Sequence, residues 1–252
     1  MKRLLFILGL VLGILSFTCS SSENSTIEDP FVNINEEIEN NTFPEPKNFR
    51  LLALGDSYTI GTAVCETCRY PEQLKDSLVT YFNEDDTFSL DIVAQGGWTT
   101  TQLIGAVNST DLLEEYDLVT LLIGVNNQFQ GKPFITYQLE FPELVGMATT
   151  LAEGDANRII IISIPDYAMT PFGMAFDDGN IASEIDMYNN YASTYAEQAG
   201  ITFINVTDIS RTILEFPELI AEDGLHPSEL AYSKYVERIL PAALEKLGYE
   251  AD

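Results

Sequence analysis

Two stretches of this chain, Leu118–Gly124 and Arg158–Ile164, are apolar at almost every position. A strand covered on only one face alternates apolar and polar residues, so these stretches predict strands buried on both faces, as in a parallel sheet. Shorter apolar runs at Arg50–Gly55, Leu90–Ala94 and Ile201–Val206 predict three further strands. The chain is therefore expected to build its core around one buried sheet.

Helical patterns alternate with these predicted strands. They predict helices at Pro71–Phe82, Gln138–Leu151, Ile181–Ala199 and Ser228–Leu247, with a break near Pro142 and a kink or break at Pro241. Strands that alternate with helices predict right-handed crossovers and helices on both faces of the sheet. We therefore expect an α/β fold, a three-layer α/β/α sandwich with a five-stranded parallel sheet of the flavodoxin-like type.

Four predicted strands run into loops at Gly55-Asp56-Ser57, Gln95-Gly96-Gly97-Trp98, Gly124-Val125-Asn126-Asn127 and Pro165-Asp166-Tyr167. The first three of these segments carry small or polar residues at the point where the chain must turn. In open α/β sheets, ligands bind beyond the carboxyl ends of the strands. The turns at this edge are therefore the predicted functional site.

The chain has one histidine, His226, in the segment Asp223-Gly224-Leu225-His226-Pro227. Ester hydrolysis by a serine needs a hydroxyl nucleophile, a base and a group that orients the base. Ser57 is the candidate nucleophile and His226 the candidate base. Asp223 is the candidate orienting carboxylate, with Glu222 and Asp56 as alternatives. Asp56 is better suited to hold its turn by accepting hydrogen bonds from backbone N–H groups.

The oxyanion that forms during acyl transfer also needs hydrogen-bond donors. The candidates are the backbone N–H groups of Ser57 and Gly97 and the side-chain amide of Asn126. Gly97 suits close backbone approach because it lacks a side chain. Gly96 is the alternative to Gly97.

These segments resemble the sequence blocks of the SGNH/GDSL hydrolase family. The matching residues are Gly55-Asp56-Ser57, Gly97 with Trp98-Thr99-Thr100, Gly124-Val125-Asn126 and Asp223-Gly224-Leu225-His226-Pro227, in the family's order. The resemblance implies a triad of Ser57, His226 and Asp223. It also implies an oxyanion hole formed by Ser57, Gly97 and Asn126, with no metal and no organic cofactor.

Two positions depart from the family's pattern. Asn127 stands where the third block usually has Asp, which removes a carboxylate behind the candidate donor Asn126. The family also often has Asn a few residues before the second-block glycine, where this chain has Ala94-Gln95. Both departures concern the surroundings of the site, because Asn126 itself is present.

The N-terminus has the pattern of an export signal. Lys2 and Arg3 precede the apolar stretch Leu4–Phe17, which is shorter than the roughly 20 residues of a membrane span. Cys19 follows, then a Ser-rich segment, as in a bacterial lipoprotein signal. We expect a signal peptide at residues 1–18, lipidation of Cys19, a flexible tether at 19–48 and the hydrolase domain at 49–252. Thr18 is bulkier than the usual residue before the lipidated cysteine, so plain secretion or an uncleaved anchor is the alternative.

Composition narrows the chemistry further. The chain carries 39 acidic and 12 basic residues, a formal net charge of −27, which disfavours binding to nucleic acid or anionic lipid. Contact with a membrane is expected only through the lipid anchor. Cys65 and Cys68 form a lone C-x-x-C that lacks further zinc ligands, so a disulfide is expected in an oxidising compartment. The sequence predicts no oligomeric state.

These expectations combine into a serine esterase of the bacterial cell envelope that cleaves a short acyl ester. A carbohydrate acetylester is the preferred substrate. A lysophospholipase or thioesterase-type acylhydrolase is the alternative, followed by a non-catalytic glycan-binding surface lipoprotein. Tyr58 and Trp98 adjoin the candidate site and are candidates for the substrate pocket, although Trp98 equally suits ordinary packing.

Overall fold

Five parallel strands form one sheet with the order β2-β1-β3-β4-β5. The strands are β1 (Asn48–Gly55), β2 (Thr87–Ala94), β3 (Leu118–Leu122), β4 (Ile159–Ile162) and β5 (Thr202–Ile204). The computed structural model describes residues 45–176 and 179–249. The predicted signal peptide, Cys19 and most of the predicted tether, up to residue 44, lie outside the described residues. The parallel pairing of all neighbouring strands confirms the predicted five-stranded sheet.

Helices connect the strands in the described part of the chain. They are α1 (Ser57–Ile60), α2 (Tyr70–Val79), α3 (Thr100–Ser109), α4 (Val125–Phe129), α5 (Phe134–Leu151), α6 (Pro171–Met174), α7 (Ile181–Ala199), α8 (Thr207–Ser210) and α9 (Glu229–Lys246). The first crossover runs from β1 to β2 in one direction, and all later crossovers run in the other. Right-handed connections therefore put α2 on one face of the sheet and α3, α5 and α7 on the other. Helix α9 packs against α2 and completes the first face.

The central strands β3 and β4 are buried at every position, as their apolar sequences predict. At the edge of the sheet, β2 is mostly partly exposed and begins at Thr87, three residues earlier than expected. It extends because Thr87 pairs with Asn48 at the start of β1. None of the helices that the structure describes is long and apolar enough to cross a lipid bilayer.

The break expected at Pro142 does not occur. Helix α5 runs without interruption from Phe134 to Leu151, with Pro142 inside it. Proline lacks the N–H that would bond the carbonyl four residues earlier, which belongs to Gln138. The hydroxyl of Tyr191 on α7 donates to that carbonyl at 2.8 Å. The neighbouring helix therefore supplies the hydrogen bond that the proline removes.

Helix α9 also continues through its proline, Pro241. The carbonyl left without a helical partner belongs to Glu237, which is exposed. Water can bond that carbonyl, so the helix needs no break.

Helix α3 has no counterpart among the predicted helices. Its sequence, TTQLIGAVNS, contains several weak helix formers. The helix is held by its first turn, where Thr99 and Gln102 form a reciprocal capping box. Leu103 and Val107, four residues apart, bury one face against the core. Capping and tertiary packing thus outweigh weak local propensity.

The strand register sets the position of the functional loops. Gly55, the last residue of β1, pairs with Ala94 at the end of β2 and with Leu122 at the end of β3. The three strands therefore end at one level. The strand order reverses direction between β1 and β3, which is where doubly wound sheets leave a crevice for ligands.

Candidate active site

One pocket at the carboxyl edge of the sheet brings together residues from all four sequence blocks. Ser57, Gly97, Asn126 and His226 line a cavity of about 280 Å³, and Tyr58 lines it beside Ser57. Other residues of the predicted turns and blocks also line it, namely Gly96, Val125, Tyr167 and Leu225, and the lining residues outside those segments are Thr62, Phe129 and Phe172. The fold thus brings Ser57 and His226, which lie far apart in the sequence, into the same cavity.

Ser57 is held by a tight turn between β1 and α1. A Cβ on Gly55 would lie 2.0 Å from Thr59 Oγ1 and 2.5 Å from the carbonyl oxygen of Leu122, so only glycine fits there. The Asp56 side chain accepts a hydrogen bond from the Tyr58 N–H at 3.0 Å and caps α1. The turn therefore presents Ser57 as the first residue of a short helix at the pocket.

Asp223 and His226 form a compact local unit. Asp223 Oδ2 lies 2.5 Å from Nδ1 of the His226 ring. The other carboxylate oxygen accepts hydrogen bonds from the backbone N–H groups of Leu225 and His226, both at 3.0 Å. Burial raises the pKa of Asp223, but the hydrogen bonds from His226 and from the two N–H groups outweigh it. The pKa of this carboxyl therefore lies below its ordinary value.

The other carboxylates weighed for this role are placed differently. Asp56 is fully buried and bonds the Tyr58 N–H, and Glu222 is exposed beside Asp223. Of the three, Asp223 is the one hydrogen-bonded to the imidazole. An imidazole that donates through Nδ1 has its Nε2 available to accept a proton.

The hydroxyl of Ser57 and the ring of His226 share the pocket without a hydrogen bond between them in the described structure. Catalytic hydrogen bonds are often long in ligand-free enzymes and shorten when substrate binds. The Tyr58 ring stands edge-on to the His226 ring, with centroids 5.6 Å apart. This contact, together with Asp223, holds the imidazole at the pocket wall.

The backbone N–H groups of Ser57 and Gly97 have no acceptor among the described residues, and both residues line the pocket. Gly97 has φ +83° and open space where a Cβ would stand, so a side chain there would be strained and would project from the turn. A Cβ on neighbouring Gly96 would lie 3.9 Å from the Ser57 Cβ, which shows how closely the turn approaches Ser57. Both N–H groups are therefore available to bind an oxyanion.

The Asn126 amide is already engaged. Its Nδ2 donates to the Trp98 carbonyl at 3.0 Å and to Asp56 Oδ2 at 3.5 Å. The second contact is at the long end of hydrogen-bond distances. A negatively charged oxygen in the pocket could replace Asp56 as acceptor while the bond to Trp98 keeps the amide in place.

Asp56 lies behind these donors and is fully buried. Burial raises the pKa of Asp56 to about 7, although the bonds from the Tyr58 N–H and the Asn126 amide partly oppose the rise. The carboxyl therefore changes its charge near neutral pH at the rear of the candidate oxyanion site.

An aromatic wall, formed by Phe129, Tyr167 and Phe172, closes one side of the pocket. The Phe129 ring lies 6.1 Å from that of Tyr167 and 5.8 Å from that of Phe172, measured between centroids. The Tyr167 hydroxyl donates to Gln128 at 2.7 Å. Phe129 follows the third block by a few residues, which was the available sequence signal, whereas the other two rings come from a loop whose path the sequence did not predict.

Trp98 does not line this pocket. Its side chain is partly buried and packs against the core, and its carbonyl accepts the Asn126 hydrogen bond. Trp98 therefore contributes through its carbonyl to the position of Asn126, and the expected role in the pocket is not seen.

Cys65 and Cys68 are joined by a disulfide bond. It lies in the loop after α1, which also carries the pocket residue Thr62. Across the described residues, no group of three or more His, Cys, Asp and Glu side chains is arranged to hold a metal ion.

Comparison with known proteins agrees with this geometry. The profile of the GDSL-like Lipase/Acylhydrolase family matches residues 53–234. No curated protein matches the chain.

Three solved structures illustrate the likeness in fold. A lipase/acylhydrolase from Enterococcus faecalis is 18% identical with a TM-score of 0.62, covering 81% of this chain and 100% of that one. The acetylxylan esterase Axe2 from Geobacillus stearothermophilus is 17% identical with a TM-score of 0.55, covering 81% of this chain and 96% of that one. The psychrotrophic esterase EstA from Pseudoalteromonas sp. is 16% identical with a TM-score of 0.57, covering 79% and 98%. At identities this low, the structural likeness establishes the shared fold alone.

The raised pKa of Asp56 predicts a pH-dependent stability. The folded state binds the Asp56 proton more tightly than the unfolded chain, whose carboxyl titrates near 3.8. Tighter proton binding at Asp56 therefore adds to the free energy of unfolding in full below about pH 4. This contribution, on the order of 4 kcal/mol, is lost as the pH rises to about 7. Asp56→Asn should remove this loss, so urea unfolding at pH 4, 5.5 and 8 should show a flatter profile than wild type.

Asp85→Asn, at an exposed carboxylate, is the matched control and should keep the wild-type profile. Parallel profiles for wild type and Asp56→Asn would contradict the assignment.

Proposed function

Because the chain belongs to the GDSL-like lipase/acylhydrolase family, a family of ester-hydrolysing enzymes, we propose that it is a serine esterase acting on short acyl esters through an acyl-serine intermediate. The observation that carries the proposal is the single pocket lined by Ser57, Gly97, Asn126 and His226, with Asp223 bonded to the imidazole. The nucleophile, the base and the oxyanion donors are thus all within one cavity.

The reaction follows from these positions. His226 Nε2 accepts the Ser57 hydroxyl proton as Oγ attacks the ester carbonyl carbon. Asp223 stabilises the imidazolium that results, through the bond to Nδ1. His226 then donates the proton to the departing alcohol oxygen, which leaves the acyl group on Ser57. A water molecule, deprotonated by His226, then attacks the acyl carbon. As the bond to Ser57 Oγ breaks and the acid leaves, His226 returns the proton to Oγ and the starting state is restored.

The negative oxygen of each tetrahedral intermediate accepts hydrogen bonds from the N–H groups of Ser57 and Gly97. Asn126 supplies the third, when its weak contact to Asp56 is replaced by the oxyanion. The hydrogen bond from Asn126 is stronger to the oxyanion than to the neutral ester carbonyl. Asn126 therefore stabilises the transition state more than the bound substrate, and its loss should lower kcat.

The pocket supports a small acyl group. Its volume of about 280 Å³ is near the lower end of ligand pockets, which run from about 300 to 1,000 Å³. Apart from the reacting groups, it is lined largely by apolar side chains, which suit the alkyl part of an ester. The fold is shared with an acetylxylan esterase, so an acetyl group on a carbohydrate is the proposed substrate.

One observation favours a second candidate function. Phe129 is half exposed, and the Phe176 ring extends the aromatic wall outward at 4.9 Å from Phe172. Such an apolar rim could hold a longer chain, as in a lysophospholipase or thioesterase-type acylhydrolase.

Covalent labelling tests the serine mechanism. A fluorophosphonate probe should label wild type at Ser57, because the base and oxyanion donors activate this hydroxyl. Ser57→Ala and His226→Ala should abolish labelling while urea unfolding stays near wild type. Ser233→Ala, at a serine on α9 outside the pocket, is the control and should label normally. A folded wild type that is never labelled would instead indicate the non-catalytic binding protein.

A series of esters tests acyl size. For p-nitrophenyl acetate, butyrate and octanoate, kcat/KM should be greatest for the two shorter esters and at least about 10-fold lower for octanoate, because a cavity of about 280 Å³ must hold part of the leaving group as well as the acyl chain. Acetylated xylo-oligosaccharides should release acetate in parallel. A kcat/KM that increases steadily with chain length would favour the acylhydrolase alternative.

The N-terminal sequence supports an extracytoplasmic location for this activity, in the bacterial cell envelope. Residues 1–18 would be removed as a signal peptide, and a lipid on Cys19 would anchor the domain by a tether.

In a bacterial host fed an alkyne-labelled fatty acid, wild type should incorporate label and sediment with membranes. Cys19→Ala should lose both properties, while Cys65→Ser should retain the label. Membrane association without label in wild type would support an uncleaved anchor instead.

A further inference from the structure

A buried hydrogen-bond relay lies behind the candidate oxyanion site, at the position where the chain departs from the family's pattern. Asn127 is fully buried, and its Oδ1 accepts from the Thr100 N–H at 2.9 Å. Its Nδ2 donates to the Thr100 hydroxyl at 2.6 Å. The amide of Asn127 is thus bonded at both ends to the first residue of α3.

The relay continues to a carboxylate on another helix. The Thr100 hydroxyl donates its one proton to Glu140 on α5. The Thr101 hydroxyl donates to the same carboxylate at 2.7 Å. The backbone N–H of Thr100 only donates, which fixes its bond to Asn127, and the carboxylate of Glu140 accepts, which fixes the direction of the hydroxyl bonds. The Thr100 hydroxyl must face Glu140, and its lone pair is left to accept from Asn127.

We propose that Glu140 supplies the carboxylate missing at position 127, and that Asn127, Thr100 and Glu140 act together as positioning residues for the oxyanion donors. This inference rests on the proposed esterase function. None of the three residues lines the reaction pocket, so they act through the two segments that they join.

Those two segments carry the donors. Thr100 comes three residues after Gly97, and Asn127 directly follows Asn126. Two further bonds run between the same segments: Asn126 to the Trp98 carbonyl at 3.0 Å, and Gln130 to the Gly97 carbonyl at 2.8 Å. Asn127 and Thr100 are the fully buried part of this connection, where water cannot replace a lost hydrogen bond, whereas Glu140 is partly exposed. Its disruption should therefore shift Gly97 and Asn126 relative to each other.

A double-mutant cycle tests the direction of the relay. Asn127→Asp puts two carboxylates, at the fully buried position 127 and at the partly exposed position 140, in competition for the single Thr100 proton, so one of the two acceptors loses its partner. Adding Glu140→Gln reverses the relay: the Thr100 hydroxyl donates to the carboxylate introduced at position 127, and the side-chain amide introduced at position 140 donates to Thr100. Every group is then bonded again, so the second change should rescue the first.

The readout is kcat against KM for p-nitrophenyl acetate. Asn127→Asp should lower kcat about 10-fold or more with KM within twofold of wild type, because displaced oxyanion donors act on the transition state. Asn127→Asp with Glu140→Gln should recover to within about threefold of wild-type kcat. The matched control is Asn127→Asp with Glu143→Gln, one turn along α5 at an exposed carboxylate. It should stay as slow as Asn127→Asp alone.

A second pair of variants covers the case in which Asn127→Asp does not fold. Thr100→Ser keeps the hydroxyl and should retain kcat, whereas Thr100→Val removes it and should lower kcat with little change in KM. Unchanged kcat in both Asn127→Asp and Thr100→Val, or a double variant as slow as Asn127→Asp, would overturn the relay. A wild type that hydrolyses no ester would overturn the proposed function itself, so the two failures are distinguishable.

Discussion

Gly55 pairs with Ala94 on one side and with Leu122 on the other, and the site depends on this shared register. Parallel strands that end at one level deliver their following turns to one edge of the sheet. Ser57, Gly97 and Asn126 therefore meet although long crossovers separate them. The absence of a side chain at Gly55 is part of the same constraint, because a Cβ there would collide with Thr59 and with the β3 backbone.

Three carboxylates near the pocket show how environment separates chemically similar groups. Asp223 is partly exposed and accepts three hydrogen bonds from Leu225 and His226, so its charge is favoured. Asp56 is fully buried with fewer donors, so burial dominates and its charge is disfavoured near neutral pH. Glu140 accepts from two threonine hydroxyls and orders the relay behind the donors. The burial of each carboxylate and the number of hydrogen bonds it accepts, rather than its residue type, therefore decide its role.

Much of the fold could be predicted because its signals are local. The buried strands read as continuous apolar runs, and α7 spans Ile181–Ala199 as its periodic apolar stripe predicts. Helix α3 was not predicted because its residues are weak helix formers. Its capping box is a local signal that the sequence offered, but the bond to Asn127 and the burial of Leu103 depend on tertiary packing. The continuity of α5 was hidden for a similar reason, because the partner that replaces the hydrogen bond lost at Pro142 lies on another helix.

The sequence by itself determined the contact between Asp223 and His226, because a three-residue turn places a carboxylate against the imidazole without help from distant residues. It also determined which turns carry the candidate donors. Only the tertiary structure decided that the Trp98 side chain packs against the core instead of lining the pocket, and that the Asn126 amide is shared between Trp98 and Asp56. It also decided that the carboxylate behind the site comes from α5. These outcomes depend on contacts between separate crossovers, and residue type and spacing carry no information about which distant side chains the packing brings together.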